Sequence, residues 1–282
     1  MSGPTEELNS GVPTAQHRSA APGETASEPI ANGIRIRDHV ASGTAFHATV
    51  GWCVFWAIVV LVFLFTMAIT NGVAIILWLA SPILIVLARR RSRAIIRGNS
   101  IQVGVDQFPE VHQSVCRLAE QLQLPTPPDV FIVKGGTESS TAIKHGSRSS
   151  IVLTDEMLYG STSTGDPQVL DFVIGHELAH YAFGHKRLFR RMMASTYRAV
   201  SRLDDFSCDA VAHSLIDNRQ SAAGAIVLMT IGPHLLPQVN LKAFVTQAEQ
   251  VVADGRSRRA ELGLYHPLLL RRFARVIGMK VT

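Results

Sequence analysis

The chain has 282 residues, room for one sizeable domain with additions, and carries a net charge of +5. Its apolar content of 47% is concentrated between His47 and Ala88, which excludes an evenly soluble composition and points to membrane insertion. Three scattered cysteines (Cys53, Cys116 and Cys208) exclude a disulfide framework, and the absence of any nucleic-acid motif leaves the positive charge as a topology signal.

Residues 1–40 are rich in Ser, Thr, Pro, Ala, Gly and Glu and are expected to be a disordered tail, without the layout of a signal peptide. Residues 47–90 read as a transmembrane hairpin. The run from Ala48 to Thr70 is uncharged and, at about 23 residues, long enough to span a bilayer. Thr70-Asn71-Gly72 reads as a turn. Val73 to Ala88 is shorter and contains Ser81-Pro82; a kinked second span is expected, with a re-entrant segment as the alternative. Arg35 and Arg37 precede the pair, and Arg89, Arg90, Arg91, Arg93 and Arg97 follow it. Positive-inside logic then places both ends in the cytoplasm, at a cell membrane crossed twice.

Residues 100–280 read as a globular domain. Val111, Val115, Leu118, Ala119 and Leu122 recur at helical spacing after Phe108-Pro109-Glu110. Val130 to Val133 and Ser150 to Thr154 read as strands, Gly135-Gly136 as a turn, and Gly160 to Gly165 as a polar loop. Asp166-Pro167 supplies an N-cap and a proline at the first helical position. Helical patterns continue from about Leu188 to Leu215 and from Ala222 to Ile231, the latter a buried core helix rather than a third span.

The helix begun at Asp166 contains His176-Glu177-Leu178-Ala179-His180, an HExxH sequence. Residues four apart share a helix face, so both imidazoles can bind one Zn²⁺ with Glu177 beside them as general base. A third ligand must come from elsewhere in the chain. Asp205 and Asp209, also four apart, are the candidates: one to bind the metal, the other to orient a ligand. His185 lies off the ligand face, and Cys208 reads as a buried structural thiol.

Together these residues resemble the membrane-anchored zinc metallopeptidases that include the HtpX heat-shock protease and the CaaX prenyl protease, of the gluzincin-like HExxH type. Ser201-Arg202 to Asp209 is similar to the family's second motif, and His266-Pro267 with Arg272 to its third; the likeness runs from about Phe108 to Val276. The resemblance implies an α+β, mainly helical domain with a small sheet, and one Zn²⁺ per subunit. It implies His176, His180 and Asp205 as metal ligands and Asp209 as the carboxylate orienting a ligand. It also implies Glu177 as general base, His266 as an oxyanion partner and Arg272 as its brace. Two departures stand out: Asp205 replaces a glutamate, and Thr141-Ala142 stands where relatives have Asn-Ala.

The expected function is a zinc endopeptidase acting on membrane or membrane-proximal proteins. The peptide would add as a strand beside Ser150 to Thr154. The alternative, motivated by Asp205, is a catalytically weak zinc-bearing membrane scaffold of the same fold. The expected partners are a protein or peptide substrate and the bilayer, not nucleic acid; the sequence sets no oligomeric state.

Overall fold

The computed structural model describes residues 33–135 and 150–280. The departure expected at Thr141-Ala142, and Gly136 of the expected turn, lie outside them. The uncharged run folds as one helix, α1 (Thr44–Ile69), about 39 Å long at 1.5 Å per residue. Among the described residues it is the one helix long and apolar enough to cross a membrane. A turn follows at Asn71 (φ 49°) and Gly72 (φ 87°), where the Gly72 amide donates to the Met67 carbonyl at 2.9 Å. The next helix, α2 (Ile75–Gly98), carries Pro82 inside it and continues through the arginine run. Its apolar part ends at Ala88, so it offers only about 21 Å against a hydrocarbon core of about 30 Å. Trp78 Nε1 donates to Thr66 Oγ1 at 3.1 Å, and the Trp78 ring meets Phe63 edge-on, which ties α2 back against α1.

The two helices have different surfaces along their length. Near its start α1 is packed: Phe55 lies with Met193 and Val200 in one apolar cluster, and Gly51 lies so close to Met193 that an added Cβ would sit 2.6 Å from its sulfur. Beyond that level Trp56, Leu61, Leu64 and Phe65 on α1, and Leu77, Leu79 and Leu84 on α2, are exposed. At the far end of α2, Ile96 is buried against Phe131 and Val133.

Among the described residues the sheet has three strands in the order β1 (Ile101–Gln102), β2 (Asp129–Val133), β3 (Ser150–Thr154). β1 runs antiparallel to β2, and β2 runs parallel to β3 with Phe131 opposite Val152. α3 (Pro109–Gln121) buries Val111, Val115, Leu118 and Ala119, the stripe expected from its spacing.

The segment Gly160–Ser163 is helical, correcting the expected loop: α4 spans Asp155–Ser163. Thr154 caps its start by accepting from the Met157 amide. The hydroxyls of Ser161, Thr162 and Ser163 then bond back to carbonyls four residues earlier. Ser and Thr read as loop formers because they compete for backbone partners, and here the partners lie within the helix itself. α5 (Pro167–Ala182) starts as expected, with Asp166 accepting from the Gln168 amide and Pro167 at the first position. It is buried continuously from Val169 to His176, so packing surrounds it on all sides, as expected for a helix without a polar face.

The single pattern expected from Leu188 to Leu215 is two helices, α6 (Leu188–Thr196) and α7 (Arg198–Ile216), broken at Tyr197 (φ −120°, ψ 85°). No glycine or proline marks the break. Tyr197 is held by tertiary contacts: its hydroxyl lies 3.0 Å from His47 Nδ1 on α1, with the two rings stacked. α8 (Arg219–Ile231) is the buried core helix expected from Ala222 onward and ends at Gly232. α9 (Leu241–Ala253), α10 (Gly255–Glu261) and α11 (Leu269–Val276) complete the domain. Phe172, Leu178, Val211, Ile226, Leu228 and Phe273 form the centre of the core. Each large side chain there contributes about 1.5–3 kcal/mol of burial.

Two further contacts set the position of the site. Gly175 lets α5 and α7 approach closely: a Cβ there would meet the Ala212 Cα at 3.4 Å. Buried Glu261 pairs with Arg271 at 2.8 Å and accepts the Leu268 amide, while Arg202 donates to the carbonyls of Leu262 and Leu264. These bonds fix the loop that carries His266.

Candidate metal centre

α5 contributes His176, Glu177 and His180; α7 contributes Asp204, Asp205 and Asp209; the loop before α11 contributes His266; α11 contributes Arg272. The two histidine Nε2 atoms lie 3.1 Å apart, and Asp205 Oδ1 lies 3.2 Å from His180 Nε2. Metal–ligand distances of about 2.0–2.1 Å at tetrahedral angles imply ligand atoms about 3.3 Å apart, so the three groups have zinc-like spacing. All three ligand atoms fall within 4.8 Å of one another.

Protonation states sharpen this fit. Arg272 donates two hydrogen bonds to Asp209, at 2.6 and 2.7 Å, and keeps it ionised. Burial opposes the Asp209 charge, but the guanidinium outweighs it and lowers the carboxyl pKa. Asp209 Oδ1 then accepts from His176 Nδ1 at 2.9 Å, which leaves the lone pair of His176 on Nε2. Burial also holds the His176 pKa down, so the ring is neutral.

His180 is backed by a second group of residues. Arg190 donates to Asp204 at 2.6 Å, and His185 Nε2 lies 3.3 Å from the same oxygen without hydrogen-bond alignment. His185 Nδ1 lies 3.1 Å from His180 Nδ1; with the shared proton on His180, that ring carries its lone pair on Nε2, as His176 does. Two imidazole lone pairs and a carboxylate oxygen thus point at one another. Acceptors in that arrangement repel unless a cation lies between them, and zinc suits the N₂O donor set.

Asp205 is buried and its second oxygen, Oδ2, accepts from His266 Nδ1 at 2.6 Å. Burial disfavours its charge, but the hydrogen bond from His266 helps outweigh it, and its pKa lies well down. Its carboxylate therefore reaches the cluster although it is a methylene shorter than glutamate. Arg272, only 6% exposed, turns to Asp209 and so braces His176. That differs from the expected brace of His266.

Glu177 faces a cleft of about 590 Å³ lined also by Val152 of β3, Lys186, Tyr265 and His266. Lys186 Nζ lies 2.8 Å from Glu177 Oε2. Burial alone would raise the Glu177 pKa, yet the Lys186 ammonium beside it holds it well below the usual carboxylate range.

His185, Asp204, Arg190 and Lys186 are the residues that sequence spacing does not reveal. His185 follows His180 by five positions, off the ligand face of a continuous helix. Here α5 ends at Phe183, Gly184 takes φ 69°, and the chain folds His185 back behind His180. Cys208 Sγ lies 3.7 Å from His185 Nδ1, so His180, His185 and Cys208 form a second possible metal group. Burial and three neighbouring aspartates raise the Cys208 pKa well above its usual value, so the thiol stays protonated and is a poor ligand. The contact between His180 and His185 already accounts for that cluster.

Residues 106–197 match the family model of Peptidase family M48. No curated protein and no solved structure matches the chain. The matched segment holds His176, Glu177 and His180 but ends before Asp205, Asp209, His266 and Arg272. A peptidase of this family is a zinc metallopeptidase, and the donor set on α5 and α7 is of the kind that chemistry requires; the match supports the M48 family of zinc metallopeptidases without separating its HtpX and CaaX-protease branches.

Proposed function

We propose that this chain is a membrane-anchored zinc endopeptidase that cleaves membrane or membrane-proximal proteins. The observation that carries the reading is the convergence of the His176, His180 and Asp205 acceptor atoms beside Glu177, in a cleft whose wall includes β3. Bound zinc would acidify a water molecule and polarise the scissile carbonyl. Glu177 accepts the water's proton and delivers it to the leaving amine. Asp209, itself held by Arg272, sets the orientation and tautomer of His176, and His185 packs against His180 Nδ1. His266, on the exposed rim, fixes the Asp205 carboxylate from the cleft side and is placed to face a developing oxyanion. β3 is an edge of the described sheet, and Val152 on it lines the cleft, which favours extended peptide binding by strand addition.

The anchor is α1 together with α2, read as a hairpin of residues 47–90 ahead of a peptidase domain of residues 100–280. Its support is the exposed apolar surface of both helices and their contact through Trp78. Both flanks are arginine-rich, which assigns the domain to the cytoplasmic face of a cell membrane. The short apolar part of α2 is compatible with crossing if its arginines snorkel to the headgroups. The weakly active scaffold reading rests on Asp205 being too short to bind metal, and its 3.2 Å approach to His180 Nε2 weighs against that. The purified chain, assayed on unfolded casein, is expected to cleave it, to lose cleavage to a chelator and to recover it with zinc. Glu177→Gln should lose at least about a hundredfold in rate. Chelator-insensitive cleavage, or full activity in Glu177→Gln, would remove the proposal.

A further inference from the structure

A second cavity, of about 500 Å³, lies on the membrane side of α6 and takes no part in the chemistry above. Trp52, Phe183, Leu188 and Phe189 give it apolar walls, and Arg89, Arg187 and Arg190 bring three guanidinium groups to it; among the described residues no acidic one lines it. Within the arginine run, Arg89 is half-buried while Arg90, Arg91, Arg93 and Arg97 are exposed, so this one side chain is drawn inward. It lies near enough to Arg191 to disfavour that residue's charge, in addition to the effect of burial. Arg190 is paired with Asp204, but Arg89 and Arg187 have no ion-pair partner among the described residues. The first turn of α6 opens at Arg187, whose side chain makes no cap, so backbone donors there add to the positive field.

The depth of the cavity identifies the ligand. It joins Trp52 to Arg89, which border the dense exposed apolar stretch running from Trp56 on α1 to Leu87 on α2. On α6, Phe189 is 54% exposed and Met192 39% exposed, apolar groups on an outer face next to cationic ones. That is the composition of a surface lying in the headgroup layer.

We propose that this cavity binds the phosphate of an anionic phospholipid headgroup, held by Arg89 and Arg187 with Arg190 at its back. The site rests on the membrane anchoring proposed above, and not on peptidase activity. Since Arg190 also holds Asp204, it abuts the residues behind His180.

The test is native mass spectrometry of the full chain in micelles, counting retained phosphatidylglycerol against phosphatidylcholine. Phosphatidylglycerol is expected to be retained preferentially. Each arginine removed should weaken retention about fivefold, and Arg89→Gln with Arg187→Gln together about twentyfold or more. Arg90→Gln with Arg93→Gln removes the same charge outside the cavity, lowers only the general attraction to anionic lipid, and should weaken retention clearly less than the cavity pair. Arg187 is exposed, so Arg187→Gln alone carries the test if the double variant does not fold. Equal retention of the two lipids, or equal loss in the control pair, overturns the site. Displacement of the lipid by equimolar inorganic phosphate would overturn the lipid assignment in favour of a soluble phosphate. Release of the chain from membranes by alkaline carbonate would instead refute the anchoring on which the site rests.

Discussion

Removing the charge of Asp209 should damage the fold and the metal site by separable amounts. Arg272 and Asp209 are both almost fully buried and joined by two short hydrogen bonds. Asp209→Asn keeps the shape but leaves a guanidinium in the core without its counter-charge. Breaking such a pair destabilises a protein by about 3–5 kcal/mol, out of a typical total of about 5–15 kcal/mol. In a domain of this size each kcal/mol lowers Tm by about 2–4 °C, so a fall of roughly 6–20 °C is expected for the metal-free protein. The same substitution weakens the hold on His176 Nδ1, and loss of such a partner reduces zinc affinity about 10- to 100-fold. The paired replacement Asp209→Leu with Arg272→Met removes both charges together. It should recover most of the stability while zinc affinity stays low. Thermal unfolding with chelator present gives the first quantity, and competition with a chromophoric zinc chelator the second. A double variant as unstable as Asp209→Asn, or one with native zinc affinity, would refute the reasoning.

Acid should destabilise the metal-free protein in two stages. Burial holds the pKa values of His176 and His185 below 6.5, so the unfolded chain binds more protons than the folded one once pH falls below that value. His185 then removes up to about 1.4 kcal/mol of stability per pH unit, and His176 adds to the loss in the same direction. The lowered carboxyls of Glu177, Asp205 and Asp209 add a second loss below about pH 4.5. Urea unfolding between pH 7.5 and 5 should therefore show a slope below about pH 6.5 that His185→Gln reduces; a flat profile over that interval contradicts neutral buried imidazoles. Lys186→Gln removes the cation that holds the Glu177 pKa down, so the acid limb of kcat/KM should move to higher pH. An unmoved limb would show that this ion pair is absent in the working enzyme. Gly160→Ala would place a methyl 2.6 Å from Leu228 Cδ1, and a loss of about 1–3 kcal/mol in denaturant unfolding is expected. No loss would mean that α4 and α8 are free to separate.

The local half of the site was legible in the sequence. Asp166, Pro167 and a fourfold spacing of histidines encode a helix start and a shared face, and α5 has both. The remote half was not encoded in any spacing. Asp205 and Asp209 share a helix face, and only the packing of α7 on α5 decides which of them meets the Nε2 side of the rings and which meets Nδ1. The choice of Asp205 came from resemblance, and the structure brings it to His180. His185 was hidden because a helical wheel stops applying once Gly184 turns the chain. The break at Tyr197 was hidden for a related reason: contacts with α1 impose it, with no local residue signal. In α4 small polar residues, which by composition favour loops, form a helix whose Gly160 permits close packing against Leu228.

The metal content of purified wild-type chain, His176→Ala and Asp205→Ala tests the central claim most directly, with Asp204→Asn as comparison. A single zinc per chain is predicted for the wild type, with loss in both alanine variants and retention in Asp204→Asn, whose carboxylate lies outside the candidate ligand group and beside His185. Full zinc in Asp205→Ala would contradict the account, because it would place the third ligand elsewhere.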